Sequence, residues 1–260
     1  MAVICREIIE KAGLSLGFRI ERMKSTDARE RNITMLQLVA ESMGTAREQV
    51  VFLGGTVIPF LLTEQVPLDL RLSKDVDFIF DYSSKRELFD FEDTLWERGF
   101  TKLKTGSVSQ WTISGVTVDV LPTGPVLGFC NEWCDEAVQN AVRVDIGNDL
   151  TINMIPAPYF LGAKLSKFAN RADNHATSRD IYDMLLVIAG RPKIETEVIG
   201  QASGELRTFL ADELGEFLDK SDELGALLHL YSRDADKAGK CLSDVLARIR
   251  KIVDHKNRHS

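Results

Sequence analysis

Three aspartates lie in apolar, strand-forming surroundings, and their types and spacing are those of a site for a divalent cation. Asp75 and Asp77 are separated by one residue, so on a β-strand both side chains point to the same face, about 6–7 Å apart. Asp119 lies in a second such run, Val118-Asp119-Val120, and a neighbouring strand there would add a third carboxylate. Oxygen ligands suit Mg²⁺, with Mn²⁺ as the alternative ion. We therefore predict metal-assisted phosphoryl or nucleotidyl transfer, with these three aspartates as catalytic metal ligands.

The Asp-x-Asp pair also has an ordinary interpretation, a solvated strand edge. Two features favour the functional one. Phe78-Ile79-Phe80 follows the pair directly, and ionised groups in apolar runs are costly unless they are paired or bound to a metal. Upstream, Gly54-Gly55-Thr56 forms a turn whose backbone N–H groups can approach phosphates closely, because no glycine side chain intervenes.

A stripe of cations follows on a later amphipathic helix. Lys164, Lys167 and Arg171 are spaced i, i+3 and i+7 beside an apolar face. Cations in line repel each other by a few tenths of a kcal/mol per neighbouring pair, and a bound anion relieves that repulsion. Near a metal site the anion we expect is a nucleoside triphosphate, although a solvated basic face has the same pattern.

Bulk properties limit the possible partners. The chain has 260 residues and a net charge of −7, which argues against a long non-specific grip on nucleic acid. No run reaches the roughly 18–20 apolar residues that span a membrane, and the charged N-terminus is not a signal peptide.

The cysteines have neither disulfide-framework nor zinc-site spacing, so we expect reduced thiols and a cytoplasmic protein. These are Cys5, Cys130, Cys134 and Cys241.

The elements that must position these residues follow from hydrophobic periodicity. Helices are predicted at 3–12, 29–43, 57–62, 84–97 and 131–141. Strands are predicted at 49–53, 75–80, 100–103, 108–113, 116–121 and 150–155, with Ser114-Gly115 as a hairpin turn. Later helices are predicted at 158–172, 178–189, 194–218, 222–231 and 236–254.

The fold class that we expect is α+β, a mixed sheet with helices followed by an α-helical C-terminal domain. The prolines at Ile155-Pro156-Ala157-Pro158 mark the weakest junction. The predicted divisions are N-terminal helices at 1–47, a core at 48–155 and the helical domain at 156–260.

Together these motifs resemble the DNA polymerase β-type nucleotidyltransferase superfamily. The matching pieces are the Gly54-Gly55-Thr56 turn, the segment 71–78 with its Asp-x-Asp pair, and Asp119 on a later strand. The stretch 163–185 is similar to the AbiEii/AbiGii toxin-type branch, which has a Lys-Leu…Arg helix followed by an Arg-Asp-x-x-Asp helix. The resemblance covers about residues 48–190. The gap between the glycines and Asp75 is longer than usual, which an insertion around 63–70 would explain.

The resemblance implies a polymerase β-like core and an enzyme that moves a nucleoside monophosphate from an NTP to an acceptor, releasing pyrophosphate. It implies that Lys164 binds the triphosphate and that Asp180 is functional, although Asp180 also suits the positive start of a helix. We expect Asp183, on the same face, to matter less. The nucleotide-binding residues implied are Gly54, Gly55, Thr56, Ser73, Lys164 and Arg171.

The branch further implies the toxin of a toxin–antitoxin or phage-defence pair, with a cognate antitoxin and with tRNA or another macromolecule as the acceptor. One alternative is a small-molecule enzyme like the aminoglycoside nucleotidyltransferases, and another is a non-catalytic nucleotide-binding partner protein. The aminoglycoside-like alternative needs an acidic pocket for a cationic sugar. Its candidate residues are Asp212, Glu213, Glu216, Asp219, Asp222 and Glu223.

Overall fold

The structure, a computed structural model, describes residues 27–103, 110–123, 131–169, 178–232 and 235–258. The predicted helix at 3–12, Arg171, Cys5 and Cys130 lie outside these ranges. Seven strands are present in them: β1 (Val50–Leu53), β2 (Asp75–Phe80), β3 (Thr101–Lys102), β4 (Gln110–Ile113), β5 (Val116–Pro122), β6 (Val142–Asp145) and β7 (Thr151–Met154).

The helices interleaved with these strands are α1 (Ala28–Met43), α2 (Ile58–Leu61), α3 (Lys85–Glu97) and α4 (Cys134–Gln139). The helices that follow the last strand are α5 (Ala157–Ala169), α6 (Arg179–Gly190), α7 (Ile194–Gln201), α8 (Gly204–Asp219), α9 (Ser221–Leu230) and α10 (Ala235–Asn257). The predicted α+β class, a mixed sheet with helices followed by an α-helical part, is confirmed.

The strands form one mixed sheet in the order β3-β4-β5-β2-β1-β7-β6. β2 pairs with β5 in parallel and with β1 antiparallel. β2 and β5 lie next to each other inside the sheet, and each buries one face while the face that carries its aspartates is half-buried. The aspartates predicted as metal ligands therefore lie on two adjacent strands that run in the same direction.

The hairpin between β4 and β5 forms at Ser114-Gly115, as predicted. Both residues have positive φ, 49° and 80°, which the type I′ turn of a two-residue hairpin requires. This turn sets the register of β5 against β4, with Gln110 opposite Asp119. The turn chemistry therefore decides which side chain lies beside the third carboxylate.

Two predictions about elements are wrong. The sequence analysis contains no strand at 142–145, because β6 is an exposed edge strand without the alternating burial that makes a strand recognisable. The single helix predicted at 194–218 is two helices, α7 and α8. Ser203 caps the second one, since its hydroxyl oxygen accepts a hydrogen bond from the backbone N–H of Leu206 at 3.1 Å.

The sheet and the later helices share one apolar core. Phe52 and Phe78 on the sheet belong to the same buried cluster as Leu185 on α6 and Leu214 on α8. The proposed division of the chain near residue 155 stays a prediction. In the ranges described above, no helix combines the length and the apolar character needed to cross a membrane.

The cysteines differ from the prediction. Cys134 is disulfide-bonded, so the expectation of four reduced thiols is wrong for this residue. Sequence spacing does not report which cysteines meet in space, and geometry rather than spacing decides whether they can bond. Cys241 is a buried free thiol, and burial, together with the neighbouring Asp244 carboxylate, raises its pKa to about 11.

Candidate active site

The three predicted carboxylates lie together on one wall of a cavity. In the parallel pairing of β2 with β5, Asp77 is directly opposite Asp119, and Asp75 lies two residues earlier on the same face of β2. All three line a cavity of 760 Å³ between the sheet and helices α5 and α6. The structure thus brings together the three residues that the sequence predicts as metal ligands.

The glycine turn is built around these carboxylates. Gly54 has φ of 81°, and a Cβ atom there would overlap the Asp77 carboxylate, so only glycine leaves that carboxylate its place. A Cβ at Gly55 would lie 2.7 Å from the Ser73 hydroxyl, which donates a hydrogen bond to the backbone carbonyl of Asp75 at 3.0 Å. The turn and the Ser73 segment therefore enclose the acidic cluster from one side.

The electrostatics of the cluster favour an added cation. Burial, the adjacent Asp75 carboxylate and the nearby Asp119 raise the pKa of Asp77 to about 7, although Lys167 and Lys164 oppose the shift. Burial also raises the pKa of Asp119, against the hydrogen bond that the Gln110 side-chain amide donates to it at 2.9 Å. A divalent cation would favour the ionised forms of both carboxylates.

The residues fit a divalent ion by their chemistry. Asp75, Asp77 and Asp119 line the same cavity, and the Asp77 carboxylate occupies the space that a side chain at position 54 would fill. Within the described ranges, no group of three His, Cys, Asp or Glu side chains is arranged to hold a metal ion as it stands. These residues therefore suit a divalent ion because they offer oxygen ligands and because they line one cavity. Mutual repulsion opposes a tighter arrangement of the bare carboxylates.

The raised pKa of Asp77 leads to a first testable prediction, for the metal-free protein in a chelator. The folded pKa of about 7 exceeds the ordinary value of 3.8, so the folded state holds the proton more tightly. The free energy of unfolding therefore falls as pH rises from about 4 to about 7. Asp77→Asn removes this cost and is expected to stabilise the protein by about 4 kcal/mol above pH 7 and by little at pH 4.

Thermal melts of the wild type and of Asp77→Asn at pH 4.5, 6, 7 and 8 measure this effect. Asp93→Asn, at an exposed position on α3, is the matched control, and its melting temperature should equal that of the wild type at each pH. A difference between Asp77→Asn and wild type that is the same at every pH would contradict the assignment of the pKa to Asp77.

A buried ion network forms the opposite wall of the cavity. The ammonium of Lys164 donates hydrogen bonds to Asp180 at 2.9 Å and to Asp183 at 2.8 Å. Arg71 donates to both carboxylate oxygens of Asp183 from one terminal nitrogen, each at 3.0 Å, and also from Nε at 3.2 Å. Asp183 thus bridges two cations that belong to distant parts of the chain.

This network keeps Lys164 charged. Burial alone would lower the pKa of Lys164, but the Asp183 and Asp180 carboxylates together raise it above its ordinary value. The ammonium also lies 5.6 Å from the centre of the Phe160 ring, within the range of a cation–π interaction. Lys164 is therefore a fixed cation on the cavity wall, with a side chain that is only 11% exposed.

The structure separates the two explanations for Asp180. The N-cap of α6 is Ser178, whose hydroxyl oxygen accepts from the backbone N–H of Ile181 at 3.4 Å. Asp180 lies in the first turn of α6 as well, yet its carboxylate accepts the Lys164 hydrogen bond. It is therefore part of the ion network, whatever it also contributes at the helix start.

Sequence reasoning missed the part that Arg71 and Asp183 play. The i, i+3 spacing of Asp180 and Asp183 places both on one face of α6, and this spacing was a usable signal for Asp183. Arg71 had no such signal, because its partner is 112 residues away in the chain. Its contact depends on the tertiary fold alone.

The remaining predicted residues divide into two groups. Gly54, Gly55 and Ser73 line the cavity, as do the exposed cations Lys74, Lys167 and Arg179. Thr56 is fully buried and does not line the cavity, and its hydroxyl has no hydrogen-bond partner among the described residues. The acidic residues proposed for a cationic sugar all lie in the described ranges, on α8 and α9, and none of them lines the cavity.

A family model described as "Nucleotidyl transferase AbiEii toxin, Type IV TA system" matches residues 37–237. Among solved structures, an antigenic nucleotidyltransferase-like protein from Paracoccidioides brasiliensis is similar at 20% identity and a TM-score of 0.45, covering 75% of this chain and 92% of that one. JHP933 from Helicobacter pylori is similar at 13% identity and a TM-score of 0.49, covering 88% and 96%. No curated protein sequence matches.

Proposed function

Because the chain belongs to the AbiEii nucleotidyl transferase toxin family of type IV toxin–antitoxin systems, we propose that it moves a nucleoside monophosphate from an NTP to an acceptor, with release of pyrophosphate. The observation that carries this proposal is the placement of Asp77 opposite Asp119 on parallel strands, with Asp75 beside them, facing one cavity. Family membership sets the non-catalytic alternative aside.

Asp75, Asp77 and Asp119 would hold Mg²⁺ or Mn²⁺ in this enzyme. An ion bound there supplies charge stabilisation for the attacking and leaving oxygens of the transferred phosphoryl group. The protein's own part is mostly positioning and charge compensation. The turn at Gly54 and Gly55 lines the cavity, and its lack of side chains leaves room there for the Asp77 carboxylate and the Ser73 hydroxyl.

We assign Asp119 a role at the acceptor. Its carboxylate receives the Gln110 amide at 2.9 Å, which orients it, and a divalent ion bound at the cluster would keep it ionised and able to accept a proton. In this role Asp119 accepts the proton of the attacking hydroxyl, or positions that hydroxyl. Lys164 also lines the cavity, and its hydrogen bonds to Asp180 and Asp183 would keep the side chains there in position during transfer.

We propose a macromolecular acceptor, with tRNA as the first candidate, and a cognate antitoxin in the same cytoplasm. Support comes from the family and from the three exposed basic side chains that line the cavity. They are Lys74, Lys167 and Arg179. The aminoglycoside-like alternative is disfavoured, because the acidic residues it needs lie away from the cavity.

Incubation with each α-³²P-labelled NTP tests the proposal. Separate reactions contain Mg²⁺ with total tRNA, with protein-free cellular RNA, or with a small-molecule fraction, and a parallel set contains a chelator. We expect one NTP to label tRNA in Mg²⁺ and no label to appear with the chelator. Label confined to the small-molecule fraction would contradict the macromolecular acceptor, and transfer in the chelator would contradict metal dependence.

A further inference from the structure

We infer that Lys167 is the side chain of α5 that contacts the phosphates of the incoming nucleotide, whereas Lys164 is a positioning residue. The inference rests on the proposed function, since it assigns a triphosphate to this cavity. The resemblance described above implies the opposite order, with Lys164 as the residue that binds the triphosphate. The contacts of the two lysines differ enough to distinguish these assignments.

Lys164 belongs to a charge-balanced group. It and Arg71 contribute two positive charges, and Asp180 and Asp183 contribute two negative ones, all joined by the hydrogen bonds described above. Opposite charges this close cancel most of each other's field at a distance. Two of the three N–H donors of Lys164 are also occupied by these carboxylates. The group therefore offers a polyanion little net attraction.

Lys167 differs from Lys164 in both its exposure and its pairing. It follows Lys164 by three residues on α5, so both side chains lie on the same face of the helix. Its side chain is exposed and lines the cavity, and it makes no hydrogen bond or ion pair with any residue in the described ranges. All three of its N–H donors are available to a ligand.

The position of Lys167 relative to the carboxylates points to phosphates as that ligand. Lys167 lines the same cavity as Asp75, Asp77 and Asp119. It is thus a cation that α5 presents, exposed, to the cavity that holds the acidic cluster. A phosphate chain held at that cluster would lie within reach of a compact ammonium of this kind.

The other two unpaired cations of the cavity occupy different places. Lys74 and Arg179 also line the cavity and are exposed, and neither is paired within the ranges that the structure describes. Both belong to elements other than α5, since Lys74 directly precedes β2 and Arg179 begins α6. Lys167 is therefore the exposed cation through which α5 itself can contact a ligand in the cavity.

Calorimetric titration in Mg²⁺ without acceptor tests the inference. The ligands are ATP, GTP, CTP and UTP, each compared with its nucleoside monophosphate. Lys167→Ala is expected to weaken binding of the preferred triphosphate about tenfold or more, because a hydrogen-bonded charge pair is lost, and to change monophosphate binding little. Its melting temperature should stay close to that of the wild type, since Lys167 makes no hydrogen bond or ion pair with any described residue.

Two further variants complete the design. Lys240→Ala removes an exposed helical lysine of α10 that does not line the cavity, and it should bind like the wild type. Lys164→Ala is expected to lower kcat by orders of magnitude and to lower the melting temperature, with a smaller loss of triphosphate affinity than Lys167→Ala. Lys167→Arg should recover part of the affinity, since it restores the positive charge.

The outcomes separate the inference from the proposed function. If the wild type binds a triphosphate and Lys167→Ala binds it as Lys240→Ala does, the inference is wrong and the proposed function stands. A larger loss of triphosphate affinity for Lys164→Ala than for Lys167→Ala, at an unchanged melting temperature, would also overturn it. If the wild type binds none of the four triphosphates in Mg²⁺, the proposed function fails, and the inference fails with it.

Discussion

Asp75→Ala and Asp77→Ala are each expected to abolish nucleotide transfer while the protein remains folded. Each variant removes one carboxylate from the cluster on β2 and β5 and, with it, a ligand for the ion that stabilises the reacting oxygens. A loss of about three orders of magnitude corresponds to about 4 kcal/mol of transition-state stabilisation, a reasonable share for an ion bound at the reacting centre. Stability should not fall, because mutually repelling carboxylates are removed.

Initial rates of transfer from the labelled NTP measure this effect, with a thermal melt on the same preparations. Asp93→Ala, at the exposed α3 position, controls for the loss of an aspartate elsewhere on the surface. Near wild-type transfer by either variant in Mg²⁺ would show that the metal assignment is wrong. Loss of transfer together with loss of folding would point instead to a structural role for that carboxylate.

Asp183→Asn is expected to be the more damaging substitution in the ion network, and Asp180→Asn the milder one. Asp183 accepts hydrogen bonds from both Lys164 and Arg71, and its side chain is only 3% exposed. Removing its charge leaves two cations with one carboxylate between them, and breaking a buried pair in this way costs about 3–5 kcal/mol. The contacts thus reverse the order expected from the sequence, in which Asp183 matters less.

Turnover should separate the two variants further. Asp180→Asn leaves Lys164 bound to Asp183, so we expect transfer to fall by orders of magnitude through kcat, with a small change in melting temperature and in KM. Asp183→Asn should lose both activity and stability, and Asp183→Glu should restore part of each, because the charge returns. Steady-state kinetics with thermal melts measure both quantities. An Asp180→Asn protein that transfers at the normal rate would show that Asp180 serves only the helix start.

The elements whose formation depends on nearby residues were predictable. β2 forms at its predicted bounds because its apolar run is bordered by polar segments, and α3 begins where Ser84 caps it. The hairpin at Ser114-Gly115 required only two residues with positive φ. Because alternate residues of a strand point to the same face, the sequence also allowed the prediction that Asp75, Asp77 and Asp119 lie close together.

What could not be predicted depends on contacts between distant segments. The pairing of Arg71 with Asp183, the burial of Lys164 between two carboxylates and the position of Thr56 behind the cavity wall all arise only when the sheet and the later helices pack together. A lysine stripe looks the same in sequence whether its members are locked in ion pairs or free. Tertiary packing decides the difference between Lys164 and Lys167.

The long loop closed by Arg71 and Asp183 has a consequence during synthesis of the protein. A ribosome that has added Arg71 must add 112 more residues before Asp183 exists. Until then the nascent chain carries the acidic cluster of β2 and β5 but lacks the carboxylate that bridges Arg71 and Lys164. Messages that break or stall early therefore yield fragments without this bridge. Only chains made past Asp183 can complete the ion network.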